Sequence, residues 1–261
     1  MTEVKQLRAP DLAAMKVRGE KISMLAAYDA TMARLFDQAG IDVLLVGDSL
    51  GMVILGGDDT LQVTVDDIVR HTRAVRRGTK RALVIADMPF MSYQASLSGA
   101  LRNAGRLMQQ GEAMGVKLEG GIAVVSSVER LVSIGIPVVG HLGLLPQSVH
   151  QLGGFKRQAG SRQAGQKLMN EALALESAGA CAVVLECITP ELAQAVTARL
   201  KIPTIGIGSG PHCDGQVLVS YDLLGLTGKT PSFVRKYAQL DQVVIGAAKA
   251  FIKDIKDAQD A

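Results

Sequence analysis

Six ionisable side chains stand at the ends of short apolar runs: Asp48 after "VLLVG", Asp87 after "LVIA", Lys117 and Glu119 in "VKLE", His141 after "VVG" and Glu186 after "AVVL". Three carboxylates gathered at one rim, Asp48, Asp87 and Glu119, would repel one another unless a cation held them. Hard oxygen donors completed by water suit Mg²⁺ better than Zn²⁺, which favours His or Cys. Residues two apart in a strand share a face, so Lys117 projects with Glu119 while Leu118 takes the other side. Glu186 has no basic neighbour in sequence and is a candidate general base. His141 is a candidate hydrogen-bond donor to a developing oxyanion. Taken singly, each also has a plain reading: a buried ion pair for Lys117, a helix or strand cap for a carboxylate, a satisfied core residue for His141.

The elements that must position these residues are legible as alternating signals. The apolar runs "ISMLAAYD", "DVLLVGDS", "ALVIADMP", "MGVKLEGG", "IPVVGHLG", "CAVVLECI", "IPTIGIGSG" and "GQVLVSYD" are rich in Val, Ile and Leu. They are bounded by Gly, Pro or Asp, as strands covered on both faces are. Helices are expected between them over 30–39, 65–77, 96–110, 123–134, 166–178 and 190–200. Gly40, Gly78, Gly111, Gly135 and Gly179 follow several of these as left-handed stops. Strand then helix, repeated about eight times, is the pattern of a (β/α)8 TIM barrel, with an open doubly wound sheet as the alternative.

A parallel barrel builds its site at the C-terminal ends of the strands, where the six residues fall. In "VLLVGDSLGM", alternation counted back from Asp48 puts Leu44 and Val46 on the inner face, with Leu45 and Gly47 toward the helices. Ser49 then follows on the loop. The stretch 145–165, "LPQSVHQLGGFKRQAGSRQAG", is too long for an ordinary connection and reads either as an active-site loop or as a surface excursion. "GIGSG" at 206–210 resembles a phosphate cradle but lacks the Walker lysine, and its small residues suit a close backbone approach instead. Nothing in the spacing of Tyr28, His71, His150 or His212 gives them a role.

Composition narrows the classes further. With 261 residues, 48% hydrophobic and 20% charged, the chain can build a sizeable core, read as one barrel domain over 1–261 with a short N-terminal helical extension. The net charge is only +3, and the basic cluster Arg76, Arg77, Lys80 and Arg81 has no interleaved aromatics, so no nucleic-acid partner is expected. No apolar run is long enough to span a membrane, and the first thirty residues hold no signal-like apolar segment. Cys181, Cys187 and Cys213 lack the spacing of a zinc site or a disulfide scaffold, which fits a reducing cytosol. The expectation is a soluble, cytoplasmic enzyme acting on small molecules.

The motifs are specific enough to support a family resemblance. "LLVGDSLGMVILGGDDTLQVTVDDIVRHTRAVRRG", "ADMPFMSY", "VKLEGG", "VVGHLGLLPQSV", "ALALESAGACAVVLEC" and "IPTIGIGSG" resemble the ketopantoate hydroxymethyltransferases, in order and at compatible separations from about Met24 to Phe251. The resemblance implies a barrel of the phosphoenolpyruvate and isocitrate lyase type. It implies transfer of a one-carbon unit from 5,10-methylenetetrahydrofolate to 3-methyl-2-oxobutanoate, giving 2-dehydropantoate on the way to pantothenate and coenzyme A. It further implies Mg²⁺ at Asp48, Asp87 and Glu119, keto-acid contacts from Asp48, Ser49, Asp87 and Lys117, Glu186 as proton acceptor, and a decamer built from pentamers. His141, beside Lys117, is expected to help hold the substrate's negative charge. Competing readings are a carbon–carbon lyase or phosphonopyruvate-type mutase on the same scaffold, and a barrel that binds a keto acid without turning it over. None of the three cysteines has the Lys or Arg, Gly and His flanks such lyases carry. The visible departure is "GGFKRQAGS", where the family reads close to "GGYKVQGR"; Ser209 in "GIGSG" replaces a commoner Ala.

Overall fold

In the computed structural model, which describes residues 5–228 and 230–258, eight strands close into a barrel. They are β1 (Ile22–Ala26), β2 (Val43–Val46), β3 (Leu83–Asp87), β4 (Gly115–Glu119), β5 (Val138–Gly143), β6 (Ala182–Glu186), β7 (Thr204–Ile207) and β8 (Gly215–Val219). Their order around the barrel is their order in the chain, and the paired neighbours from β1 to β8 run parallel. The closed barrel was expected; the open sheet is excluded. Residues 1–4, 229 and 259–261 of the expected 1–261 domain lie outside the described residues.

The helices are α1 (Ala9–Val17), α2 (Ala30–Gln38), α3 (Leu50–Val53), α4 (Val65–Gly78), α5 (Leu97–Gln109), α6 (Val125–Ser133), α7 (Val149–Leu152), α8 (Arg162–Ser177), α9 (Pro190–Arg199), α10 (Ser220–Leu223) and α11 (Leu240–Asp257). The starts of α2, α4, α5, α8 and α9 follow cap chemistry. Asp29 accepts from the amides of Thr31 and Met32 ahead of α2, and Thr64 and Asp67 form a reciprocal capping box at α4. α8 begins four residues before the expected start because Ser161 Oγ accepts from the amide of Ala164 and opens the helix there. Each barrel helix buries one stripe, such as Ala100, Ala104 and Leu107 on α5.

The expected glycine stops divide into two kinds. Gly40, Gly135 and Gly179 adopt φ of 89°, 90° and 92°, as a left-handed stop requires. Gly78 and Gly111 do not. A Cβ at 78 would run into the carbonyl of Ala30, and one at 111 would stand 2.6 Å from the carbonyl oxygen of Leu107, so these positions need smallness rather than a positive φ.

The inward-facing row of the strands can be followed by register. Val43 pairs with Leu83, Ile85 with Gly115, Asp87 with Lys117, Glu119 with His141, His141 with Val184 and Glu186 with Ile207. Near the N-terminal ends this row is apolar: Ile22, Met24, Val43, Leu45, Leu83, Ile85, Val139, Ala182, Val184 and Ile205 form one buried cluster, joined by Leu12 and Met15 of α1. Such layered aliphatic filling makes the interior a packed core, not a pore.

By contact density the chain divides into two compact units, Met1–Val217 and Leu218–Ala261. The second contains α11, an 18-residue helix for which the sequence reading gave no expectation and none of whose residues is buried. Among the described residues no helix is long and apolar enough to cross a membrane.

Candidate active site

All six ionisable residues lie at the C-terminal ends of their strands, and the first layer above the apolar cluster is charged. Asp48, Asp87, Lys117, Glu119 and His141 are buried there, while the Glu186 side chain keeps 13% of its surface exposed at the mouth. Lys117 Nζ lies 2.9 Å from Asp87 Oδ1 and 3.6 Å from Glu119 Oε1. His141 Nδ1 is 3.2 Å from Lys117 Nζ and 3.4 Å from Glu119 Oε1, and its Nε2 is 3.1 Å from Glu186 Oε2. The backbone N–H of Asp48 donates to Asp87 Oδ2 at 3.0 Å.

The way Asp48 reaches this cluster differs from the alternation expected. Val43 and Leu45 are the inward residues of β2, and Leu44 and Val46 face the helices. The strand ends at Val46, Gly47 takes the next inward position, and Asp48 enters from the turn that follows. A Cβ on Gly47 would stand 2.9 Å from Ser49 Oγ and 3.5 Å from Asp87 Oδ2, so the missing side chain makes room for the turn. Counting strand parity past the last ladder hydrogen bond was the error. Ser49 sits before α3, its Oγ 2.8 Å from the Tyr28 hydroxyl.

Burial and crowding set the protonation of the cluster. Burial, then the charges of Asp87 and Glu119, raise the carboxyl of Asp48 well above its ordinary value. Burial also raises Asp87, with Lys117 pulling the other way. Glu119 is lowered, because Lys117 and His141 outweigh its burial. Burial disfavours the Lys117 ammonium, yet the three carboxylates around it raise its pKa. Burial and Lys117 oppose protonation of His141, but its contacts with Glu119 and Glu186 prevail and lift it to about 9. Lys117 and His141 are therefore the cations of a site otherwise built of carboxylates.

Two polar residues that the sequence reading passed over complete the framework. Gln147, on the turn after β5, donates from Nε2 to Asp48 Oδ2 at 2.8 Å and to the carbonyl of Met88 at 2.9 Å, and its backbone N–H donates to Glu119 Oε2 at 3.0 Å. Tyr93 O–H donates to Gln147 Oε1 at 2.8 Å and accepts from the backbone N–H of Glu119 at 3.1 Å. These partners lie 26 to 99 residues apart, beyond any periodic signal. Their only trace in the sequence is that both fall inside the "ADMPFMSY" and "LPQSV" motifs.

The long segment 145–165 touches the site at two points. Gln147 is one, and the other is the N–H of Gln158, which donates to the carbonyl of Cys187, the residue after Glu186. Cys187 holds φ of 50° to make this turn. Ala159, where the resembling family carries Gly, also adopts a left-handed φ of 55°. In "GIGSG", Ser209 Oγ donates to the carbonyl of Leu185 and accepts from the N–H of Ile188, while a Cβ on Gly210 would press on Pro190. That loop is spent on bracing the end of β6, not on forming a phosphate cradle. His71 Nδ1 lies 2.6 Å from the carbonyl oxygen of Tyr28, and His150 pairs with Asp59 at 3.4 Å.

The donor set can be tested against a divalent cation. Among the described residues no three His, Cys, Asp or Glu side chains enclose a single point as they stand; the carboxylates are spread around Lys117 and Gln147. Their chemistry nevertheless fits a hard ion. Asp48, Asp87 and Glu119 supply buried carboxylate oxygens, and after burial it is the charges of Asp87 and Glu119 that raise the carboxyl of Asp48, a repulsion that a cation would relieve.

The fold is shared with the PEP mutase/isocitrate lyase superfamily. A crystal structure of 2,3-dimethylmalate lyase, a member of it, superposes with a TM-score of 0.62 at 18% identity, covering 96% of this chain and 88% of that one. Phosphonopyruvate hydrolase in complex with oxalate and Mg²⁺ gives a TM-score of 0.65 at 12% identity, over 97% and 88% of the two chains. The family model for ketopantoate hydroxymethyltransferase matches residues 6–259, and the chain belongs to this family. The 3-methyl-2-oxobutanoate hydroxymethyltransferase of Syntrophus aciditrophicus is 56% identical over 244 residues, 93% of this chain and 90% of the relative. That of Moorella thermoacetica is 51% identical over 257 residues, 98% and 96% of the two chains.

Proposed function

We propose that the protein transfers a hydroxymethyl group from 5,10-methylenetetrahydrofolate to 3-methyl-2-oxobutanoate, forming 2-dehydropantoate. Family membership supports the reaction class. The observation that carries the residue roles is the position of Glu186, the one carboxylate of the site at its open mouth, 3.1 Å from His141 and next to the buried charged cluster.

A divalent cation, Mg²⁺ by the donor chemistry, would be held by Asp48, Asp87 and Glu119 and would supply Lewis acidity toward an α-keto acid. Ser49, Asp48, Asp87 and Lys117 bind and orient the keto acid. Glu186 removes the proton from C3. The Lys117 ammonium and the protonated His141 balance the negative charge that develops as the proton leaves, and their burial strengthens that effect. Water releases the one-carbon unit from the donor's two nitrogens at the formaldehyde level, breaking both C–N bonds, and the C3 carbon adds to it while its oxygen takes up a proton as the hydroxyl, so that keto acid, methylenetetrahydrofolate and water give 2-dehydropantoate and tetrahydrofolate. His141, held between Glu119 and Glu186, keeps the base in register with the site below it. A cytoplasmic location and a decameric assembly belong to the same proposal, carried by the family resemblance.

The test is direct. The protein is incubated with Mg²⁺, 3-methyl-2-oxobutanoate and methylenetetrahydrofolate, and 2-dehydropantoate is followed. Product that requires all three components supports the proposal, and its absence with folded protein overturns it.

A further inference from the structure

Gln147 is the point at which four loops meet. Its side chain and backbone engage Asp48 after β2, Met88, Tyr93 and Gln94 after β3, and Glu119 at the end of β4, while Gln147 itself follows β5. It is buried, and both ends of its amide are satisfied. Nε2 faces two acceptors, Asp48 Oδ2 and the Met88 carbonyl; Oε1 faces two donors, the Tyr93 hydroxyl at 2.8 Å and Gln94 Nε2 at 3.1 Å. A flipped amide would set donor against donor and acceptor against acceptor, so this chemistry allows one orientation.

The consequence is a choice between carboxylate oxygens. Gln147 occupies Oδ2 of Asp48 and, through its backbone, Oε2 of Glu119, which turns Glu119 Oε1 toward the charged cluster, 3.6 Å from Lys117 Nζ and 3.4 Å from His141 Nδ1. We infer that Gln147 is a positioning residue for the cation site: it fixes the rotamers of Asp48 and Glu119 so that their remaining oxygens are presented to a divalent ion. The inference rests on the cation site proposed above. Its precedent in physical terms is the outer-shell partner that orients a ligand and whose loss weakens metal affinity 10- to 100-fold. Tyr93 stands one bond further out, holding the amide that holds Asp48.

The experiment measures Mn²⁺ affinity of the full chain without substrate, from the electron paramagnetic resonance signal of free Mn²⁺. Gln147→Met keeps the volume and the backbone contact to Glu119 but removes the bond to Asp48. It is expected to weaken Mn²⁺ binding by about 10- to 100-fold; Tyr93→Phe is expected to weaken it less, in the same direction. In an Asp48→Asn background Gln147→Met should add almost nothing, because the group it orients is already changed. A purely structural role would give additive effects. Affinity in Gln147→Met equal to wild type, or additivity with Asp48→Asn, overturns the inference alone; failure of the wild type to bind Mn²⁺ overturns the cation reading and this inference with it. Thermal unfolding of each metal-free variant identifies loss of fold, and Tyr93→Phe then carries the comparison.

Discussion

The floor and the rim of the barrel are successive stretches of the same inward row, yet burial has opposite consequences in them. On β3, Leu83 and Ile85 belong to one apolar cluster with residues of seven strands and α1, and burying each such side chain stabilises by about 1.5–3 kcal/mol. Asp87, next in that row, is as deeply buried, but its burial raises its pKa and is tolerated through Lys117 at 2.9 Å. The difference teaches that one geometry, a parallel strand with alternating faces, supplies scaffold at its start and reactive charge at its end. The rim is held by pairing and the floor by packing.

Removing the central ammonium should do the most damage. Lys117→Met leaves Asp48, Asp87 and Glu119 buried without their shared cation, and stripping one partner from such a group costs about 3–5 kcal/mol. Urea unfolding of the metal-free protein should show that loss, and Mg²⁺ should recover part of it. A change under about 1 kcal/mol would mean that the rim is not held by pairing. On the floor, Ile85→Ala should cost about 2–5 kcal/mol by opening a cavity, with Mn²⁺ affinity of the folded protein unchanged.

Asp48→Asn should move stability the other way. The folded-state pKa of Asp48 lies above 3.8, so ionising it disfavours the fold. Metal-free wild type should lose stability relative to the Asn variant as pH rises above 3.8, and the gap should stop growing once pH passes the raised folded-state value. Added Mg²⁺ should stabilise wild type more than the variant, with activity lost in the variant. Unfolding midpoints at several pH values, with and without Mg²⁺, read all of this.

Much of this arrangement was legible in the sequence because it is local. Short continuous runs of Val, Ile and Leu bounded by Gly, Pro and Asp marked each strand, and the right-hand end of each run marked the rim. Pairings inside a strand, such as Lys117 with Glu119, follow from alternation alone. The facing of β2 did not, because Asp48 lies past the end of the ladder and the turn at Gly47 resets the parity. Gln147 and Tyr93 were invisible for another reason. Their partners come from other strand ends, and only closure of the barrel brings them together. Helix α11 lacked a start signal to read, since Gln239 gives it no side-chain cap.

The central claim is that the partly exposed rim carboxylate, Glu186, moves the C3 proton of the keto acid. It is tested by following exchange of that proton with deuterium by NMR, in wild type and Glu186→Gln, with Mg²⁺ and 3-methyl-2-oxobutanoate and no folate. Wild type should exchange, and the variant should exchange about 10²- to 10⁴-fold more slowly while binding the keto acid equally well. Exchange in Glu186→Gln at the wild-type rate would contradict the account.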